Sequence, residues 1–339
     1  MKQLVCAETG ALRIAEVERP QLQGGDLLVR MEACGICGTD VMKVYDSSVA
    51  KPVQLGHEIA GTIVEVGQGV RGFRTGMRVA VAHHAPDPSS HFSLRGSETQ
   101  DPQFKSSNVE PGGFAEFIRI PAQLTTRTVH PVPDGMPLLR AAFMEPLACC
   151  IRALDRVPVQ AGDTVLVVGV GAIGLLFVPL VCDAGGTVIA ADINAGRLGL
   201  AKDWGAVEAV DAAAGGVPDA CMRHSAGRGA DIVILTATTL NTLTLALACV
   251  RDGGTIIPFG VKPDFKAPLD LWQFYRREIS MVSSYSATPA GLARAMSLLS
   301  KPGFDLERTI SHALPLNRAA EGFDLLHKGR GSKVVITAD

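Results

Sequence analysis

Residues 165–174, "VLVVGVGAIG", run from an uncharged strand-like segment straight into glycines spaced G-x-G-x-x-G. In a strand–turn–helix unit these glycines have separate duties: Gly169 permits the tight turn, Gly171 lets a pyrophosphate approach the backbone, and Gly174 lets the next helix lie close to the strand. The helix opening at Ala172 and Ile173 then presents its N-terminus to the phosphates. Taken alone, the motif fits any glycine-rich turn equally well. What favours a dinucleotide is the following strand, "TVIAAD", which ends in Asp192, about 20 residues on, where a carboxylate accepts hydrogen bonds from the adenosine ribose hydroxyls. An acid there opposes a 2′-phosphate, so NAD is expected over NADP; Arg197 either stacks on adenine or weakens that preference. The uncharged run continues to Cys182, long enough to suggest a membrane span, but its glycine turn and Pro179 make it a buried strand, turn and helix.

Working outward, from about residue 148 strands and helices alternate: "DTVLVVGV", "AIGLLFVPLVCDAG", "TVIAAD", "AGRLGLAKDWG", "ADIVILTA", "TLTLALACVRDG", "GTIIPFG". Such alternation predicts an α/β fold, a doubly wound parallel sheet with helices on both faces. The part before it holds short β-like runs between Gly and Pro, "DLLVRME", "HEIAGTIVEVG", "RVAVAH" and "FAEFIRIP", and reads as all-β. The end of the chain reads helix, helix, strand, and "KVVITAD" is free to return to the first domain. The expected division is a β-rich catalytic domain from 1–147 and 286–339, with the dinucleotide domain at 148–285.

A chain of 339 residues with 47% hydrophobic content can fill two cores. Its 32 basic and 34 acidic residues nearly balance, and no Lys/Arg run appears, so neither nucleic acid nor an anionic membrane is an expected partner. The expected ligand is small. The N-terminus reaches charge too soon for a signal-peptide core, which makes the cytoplasm the expected location. The eight cysteines show no disulfide-framework spacing and read as reduced thiols with room for a metal site.

The chemistry is expected from the first domain, where "ACGICGTD" (Cys34, Cys37, Thr39, Asp40) is followed by "LGHEIAG" (His57, Glu58). Thiolate and imidazole are good zinc ligands, and a catalytic zinc needs three protein groups and an open position. Taken singly, His57 reads equally as a core histidine, and Cys34 with Cys37 as packing or a redox pair.

Together these pieces resemble the medium-chain zinc-dependent alcohol and polyol dehydrogenases, in the sorbitol and threonine dehydrogenase branch. The resemblance runs through "CGICGTD", "GHEIAGTIVEVG", "GMRVAV", "PGGFAEFIRIP", "MEPLACC", "VGVGAIG", the Asp192 strand end and "LPLNRAAEGFDLLHKGRGSKVVI", in that order. It implies a GroES-like catalytic domain beside a Rossmann domain, with zinc and substrate in the cleft between them. It further implies that Cys37 and His57 bind catalytic zinc, that Asp40 orients His57 and that Thr39 contacts the substrate hydroxyl. Either Glu58 or Glu145 of "MEPLACC" would complete the ligand set. Phe259, Gly260, Val261, Ser284 and Tyr285 would lie near nicotinamide. The implied reaction is hydride transfer between NAD and a secondary alcohol of a polyol, sugar, cyclitol or amino alcohol, by a homo-oligomer, dimer or tetramer. A zinc-free quinone or enone reductase and a non-catalytic dinucleotide-binding protein are the alternatives. Met42 departs from the family, which often carries a His there, and leaves Lys43, Tyr45, or ribose hydroxyls and water for the outer proton relay.

A second departure is "DPSSHFSLRGSETQD", residues 87–101. Many relatives hold a structural zinc here with C-x2-C-x2-C-x7-C, and the equivalent positions are Asp87, Ser90, Ser93 and Asp101. Two hydroxyls and two carboxylates lack the charge and softness of four thiolates, so one catalytic zinc per chain and no structural zinc is expected. His83, His84 and His91 read as strand-end and surface histidines.

Overall fold

In chain order, strands β1 (Lys2–Glu8) and β2 (Ala11–Glu16) form an antiparallel hairpin. Next come β3 (Leu27–Gly35), β4 (Glu58–Val66), β5 (Arg78–Val81), β6 (Phe117–Ile120) and β7 (Val129–Pro131). After them follow β8 (Thr164–Val168), β9 (Thr187–Asp192), β10 (Glu208–Asp211), β11 (Ala230–Leu235), β12 (Val250–Pro258) and β13 (Ser280–Met281), and the chain closes with β14 (Ile310–Pro315) and β15 (Lys333–Thr337). This computed structural model describes residues 1–339, which divide into two units: Met1–Ala148 with Ala287–Asp339, and Cys149–Ser286.

The second unit carries a six-stranded sheet ordered β10-β9-β8-β11-β12-β13, every pair parallel. Strand β8 is buried along its whole length, as a strand covered on both faces must be, and this explains its continuous apolar sequence. The same holds for β11, whose six residues are all buried. Reversal of strand order beside β8 is where such sheets accept ligands, outside the carboxyl ends of the strands.

The first unit is built on a sheet ordered β14-β15-β3-β4-β5-β7, with β6 also paired to β3. Its core packs Leu27, Val29, Met31, Ile59, Ile63, Phe114, Ile118 and Phe323. The last strand does return to it: β15 runs antiparallel to β3, pairing Val335 with Gly35. The all-β reading of this part needs correction, because the helix Gly38–Tyr45 and short helices at Pro102–Ser106, Ala122–Thr128 and Leu138–Ala141 interrupt the strands. These helices are one or two turns long, too short for apolar periodicity to reveal.

Candidate metal centre and dinucleotide cradle

Cys37 is the N-cap of the helix Gly38–Tyr45, and the cap is reciprocal: the Asp40 backbone N–H points to the Cys37 sulfur, while Asp40 accepts from the Cys37 backbone N–H at 3.2 Å. The sulfur therefore sits at the positive end of a helix. Asp40 is fully buried and also accepts from the Gly56 backbone N–H at 3.1 Å. Its Oδ1 lies 3.4 Å from His57 Nδ1. A carboxylate on Nδ1 fixes the ring and leaves Nε2 as the lone-pair donor, the usual support for a metal-binding histidine. Burial pushes His57 towards neutrality, but the charge and hydrogen bond of Asp40, with help from Cys37, hold it well above the ordinary histidine range. Burial alone would raise the Asp40 pKa, yet His57 and the Gly56 N–H pull it below the usual carboxylate value.

Glu58 opens β4 directly after His57, and the ligand atoms of Cys37, His57 and Glu58 all lie within 4.8 Å of one another. One sulfur, one imidazole nitrogen and one carboxylate oxygen form a donor set that suits zinc. A buried orphan strengthens the fit: Glu58 Oε1 has no hydrogen-bond partner. Its other oxygen is held, because Lys333 Nζ donates to Oε2.

Lys333 was not among the sequence-predicted site residues, and it is 4% exposed. It opens β15, whose register against β3 sets Val335 opposite Gly35, while β4 sets Glu58 opposite the same glycine. A Cβ on Gly35 would stand 1.9 Å from Glu58 Oε2 and 2.9 Å from Lys333 Nζ, so the ion pair occupies the space a side chain would need. The ammonium also lies 5.6 Å from the centroid of the Phe143 ring. Burial pushes Lys333 down, but Glu58, Cys37 and Glu145 together raise it above the ordinary lysine value. The signal in the sequence was a lone charge opening an apolar strand.

Glu145 lies in the first turn of the helix Met144–Arg156 and is 6% exposed; it stands near enough for its charge to act on Lys333. Thr39 is exposed in the first turn of its helix, Cys34 is completely buried in the core, and Met42 is half-buried. Lys43 Nζ donates to the Gln54 carbonyl at 3.3 Å. Tyr45 stacks on His327 with centroids 3.8 Å apart.

His83 and His84 follow closely on the end of β5, where they are half-buried. His91 is exposed, but His83 packs its ring 4.7 Å from that of His57 and 3.7 Å from His84. Burial first, and then the neighbouring positive charges of His57, His84 and Lys43, hold His83 well below the normal histidine range. His84 in turn packs on Phe104 and bonds through Nδ1 to the Ser107 carbonyl; burial lowers its pKa to about 4.

Residues 87–107 are organised by side-chain caps. Asp101, 2% exposed, accepts from the backbone N–H groups of Asp87 and Phe104 through Oδ1, both at 3.1 Å. Ser90 accepts from the Ser93 N–H at 3.2 Å, and the Ser93 hydroxyl donates to the Asp87 carbonyl at 2.6 Å. Phe104 is buried beneath, while Phe92 and Leu94 are exposed.

In the second unit Gly169 has φ +86°, and its N–H donates to the Ala191 carbonyl at 2.8 Å. A Cβ on Gly174 would lie 2.0 Å from the Gly169 carbonyl, so the close approach of helix and turn demands glycine. Gly171, the N-cap of the helix Ala172–Asp183, is different: an added Cβ there would come no closer than 3.9 Å, to Arg197 Nη1. The fold itself leaves that space open. Asp192, 6% exposed at the end of β9, accepts from the Asn194 N–H at 2.9 Å, and Arg197 Nη1 lies 3.8 Å from its other oxygen. Beyond β12, the Phe259 ring meets Phe177 edge-on at 5.1 Å, and the Thr238 N–H donates to the Gly260 carbonyl at 2.7 Å. Val261 and Tyr285 are exposed, and the Ser284 hydroxyl is buried without a partner.

Comparison with known proteins gives matches that span nearly the whole chain. Residues 23–134 match the alcohol dehydrogenase GroES-like domain, and residues 172–301 match the zinc-binding dehydrogenase model. Sorbitol dehydrogenase of Rattus norvegicus is 30% identical over 348 residues, covering 99% of this chain and 95% of the relative. Galactitol-1-phosphate dehydrogenase of Escherichia coli superposes with a TM-score of 0.89 at 25% identity, covering 99% of this chain and 100% of that one. A zinc-binding dehydrogenase from Sinorhizobium meliloti 1021, solved bound to NADP, gives a TM-score of 0.87 at 29% identity, covering 99% of this chain and 98% of the other. With the sulfur, imidazole and carboxylate gathered in one domain and the glycine turn opening the other, the chain belongs to the medium-chain zinc-binding alcohol dehydrogenase family.

Proposed function

We propose that the protein is an NAD-linked zinc dehydrogenase acting on a secondary alcohol of a polyol or sugar, or of the chemically related cyclitols and amino alcohols. The observation that carries this reading is the cluster of Cys37, His57 and Glu58, three donors within 4.8 Å of one another. Zinc held by this set supplies Lewis acidity towards an alcohol oxygen and eases loss of its proton. Asp40 keeps His57 in the metal-binding orientation. Glu145 is the second carboxylate that could hold the ion in place of Glu58, directly or through water. Thr39, exposed beside Cys37, accepts the hydroxyl proton and hands it outward. Tyr45 is committed to His327 and Met42 has no proton to pass, so the outer relay falls to Lys43, or to water and the ribose hydroxyls.

Pyrophosphate would rest on Gly169, Gly171 and Gly174 at the start of the helix Ala172–Asp183, with nicotinamide near Phe259, Gly260, Val261, Ser284 and Tyr285. NAD is the favoured coenzyme because Asp192 meets the ribose with a carboxylate; Arg197, 3.8 Å from it, softens the charge without removing it. The polyol class rests on the names of the rat and Escherichia coli relatives. A quinone or enone reductase without zinc, or a non-catalytic dinucleotide-binding protein, has no use for three buried or half-buried metal donors.

The test is NADH formation on a panel of polyols, cyclitols, amino alcohols and simple secondary alcohols, repeated with NADP. Zinc-dependent turnover of a polyol with higher kcat/KM for NAD is expected; turnover that survives complete zinc removal would overturn the assignment.

A further inference from the structure

His83 is a half-buried imidazole beside the metal centre, and its Nδ1 has no hydrogen-bond partner. Its ring is partly exposed at the end of β5 and lies tilted against the rings of His57, at 35°, and His84, at 39°. The Nδ1 atom itself is buried. The three residues whose charges act on it are otherwise engaged: His57 with Asp40, His84 with the Ser107 carbonyl, Lys43 with the Gln54 carbonyl. A buried nitrogen left unpaired costs about 1–3 kcal/mol, and such groups persist where a ligand or water completes them. A phenyl ring would keep the same ring contacts and avoid that cost. The imidazole is therefore out of place for packing and suited to recognition, since one of its nitrogens donates and the other accepts, as a hydroxyl also does.

We propose that His83 is a specificity-determining residue that hydrogen-bonds a hydroxyl of the substrate other than the one being oxidised, selecting polyhydroxylated over simple secondary alcohols. This inference rests on the dehydrogenase reading and deepens it. A site that hydrogen-bonds a hydroxyl rejects the analogue without it far more strongly than an apolar pocket rejects an added one.

The experiment compares wild type, His83→Phe and His83→Gln on two substrates, a polyol such as xylitol and a monohydric secondary alcohol such as cyclohexanol. For His83→Phe, kcat/KM on the polyol is expected to fall by about tenfold or more, mainly through KM, while the monohydric alcohol is unchanged or improved. His83→Gln, able to donate and accept, recovers part of the polyol preference. The absorption spectrum of the cobalt-substituted protein stays the same in all three, because the metal ligands are untouched. If His83→Phe does not fold, His83→Ala takes its place with the same expectation. Equal loss on both substrates, no change in their ratio, or an altered cobalt spectrum overturns the inference while leaving the dehydrogenase reading standing. A wild-type protein that oxidises no member of the full alcohol panel with either coenzyme overturns the dehydrogenase reading, and this inference falls with it.

Discussion

Lys333 carries a full charge at 4% exposure, against a Glu58 that is 1% exposed. Removing one partner of a buried ion pair leaves the other charge without compensation, whereas removing both can be nearly neutral. Lys333→Met is expected to destabilise the metal-free protein by about 3–5 kcal/mol, and Lys333→Met with Glu58→Gln to regain most of it, as read by urea unfolding. An additive double variant would show that the two groups do not act as a pair. His84 makes a separate prediction. Its pKa of about 4 in the folded protein lies below the ordinary 6.5, so the unfolded chain takes up a proton that the folded one refuses. The stabilising effect is full above pH 6.5, is lost progressively towards pH 4 and changes little below it. Replacing His84 by Gln, which can still donate to the Ser107 carbonyl, should reduce the acid-induced loss across that window by roughly 2–3 kcal/mol in parallel urea titrations. Cys37, Asp40 and His57 were singled out only through the family resemblance of "CGICGTD" and "GHEIAG", since Cys37 and His57 taken singly read equally as packing. Lys333 and His83 were not: the lysine meets Glu58 across 275 residues of chain, and only strand register reveals it.

Residues 87–107 are organised by short elements and side-chain caps. Asp101 caps the helix Pro102–Ser106 and ties it back to Asp87, so one carboxylate joins both ends of the segment. Asp101→Ala should cost about 1–2 kcal/mol locally, seen as faster hydrogen exchange confined to residues 87–107, with zinc content unchanged. Protection that stays at the wild-type level would mean that burial of Phe104 alone holds the segment. The absence of cysteine ligands was readable directly from positions 87, 90, 93 and 101; the hydrogen bonds that take their place were not, because Ser and Asp suit many turn geometries equally. Strands β8, β9 and β11 were legible from their apolar runs. The helix Gly38–Tyr45 was hidden by its eight-residue length and by a cysteine in the N-cap position.

At the scale of the whole molecule, the two kinds of sheet were readable from the change of texture near residue 148, and the return of the last strand from its position after two helices. No helix is long and apolar enough to cross a membrane, so the run ending at Cys182 is resolved into β8, a turn and the helix Ala172–Asp183. Elemental analysis of the dialysed protein should find about one zinc per chain, since one soft-donor cluster is present and residues 87–101 offer only hydroxyls and carboxylates. Two tightly held ions, one of them within that segment, would contradict this. The pairing of β15 with β3 has a consequence for synthesis. Cys37, His57 and Glu58 leave the ribosome early, but the cation that balances Glu58 arrives 275 residues after it, once the entire second sheet has been made. Until then the nascent first domain lacks two strands and carries a buried-site carboxylate with no counter-charge. The dinucleotide unit is thus free to finish folding while the metal-binding unit waits for the end of its own chain.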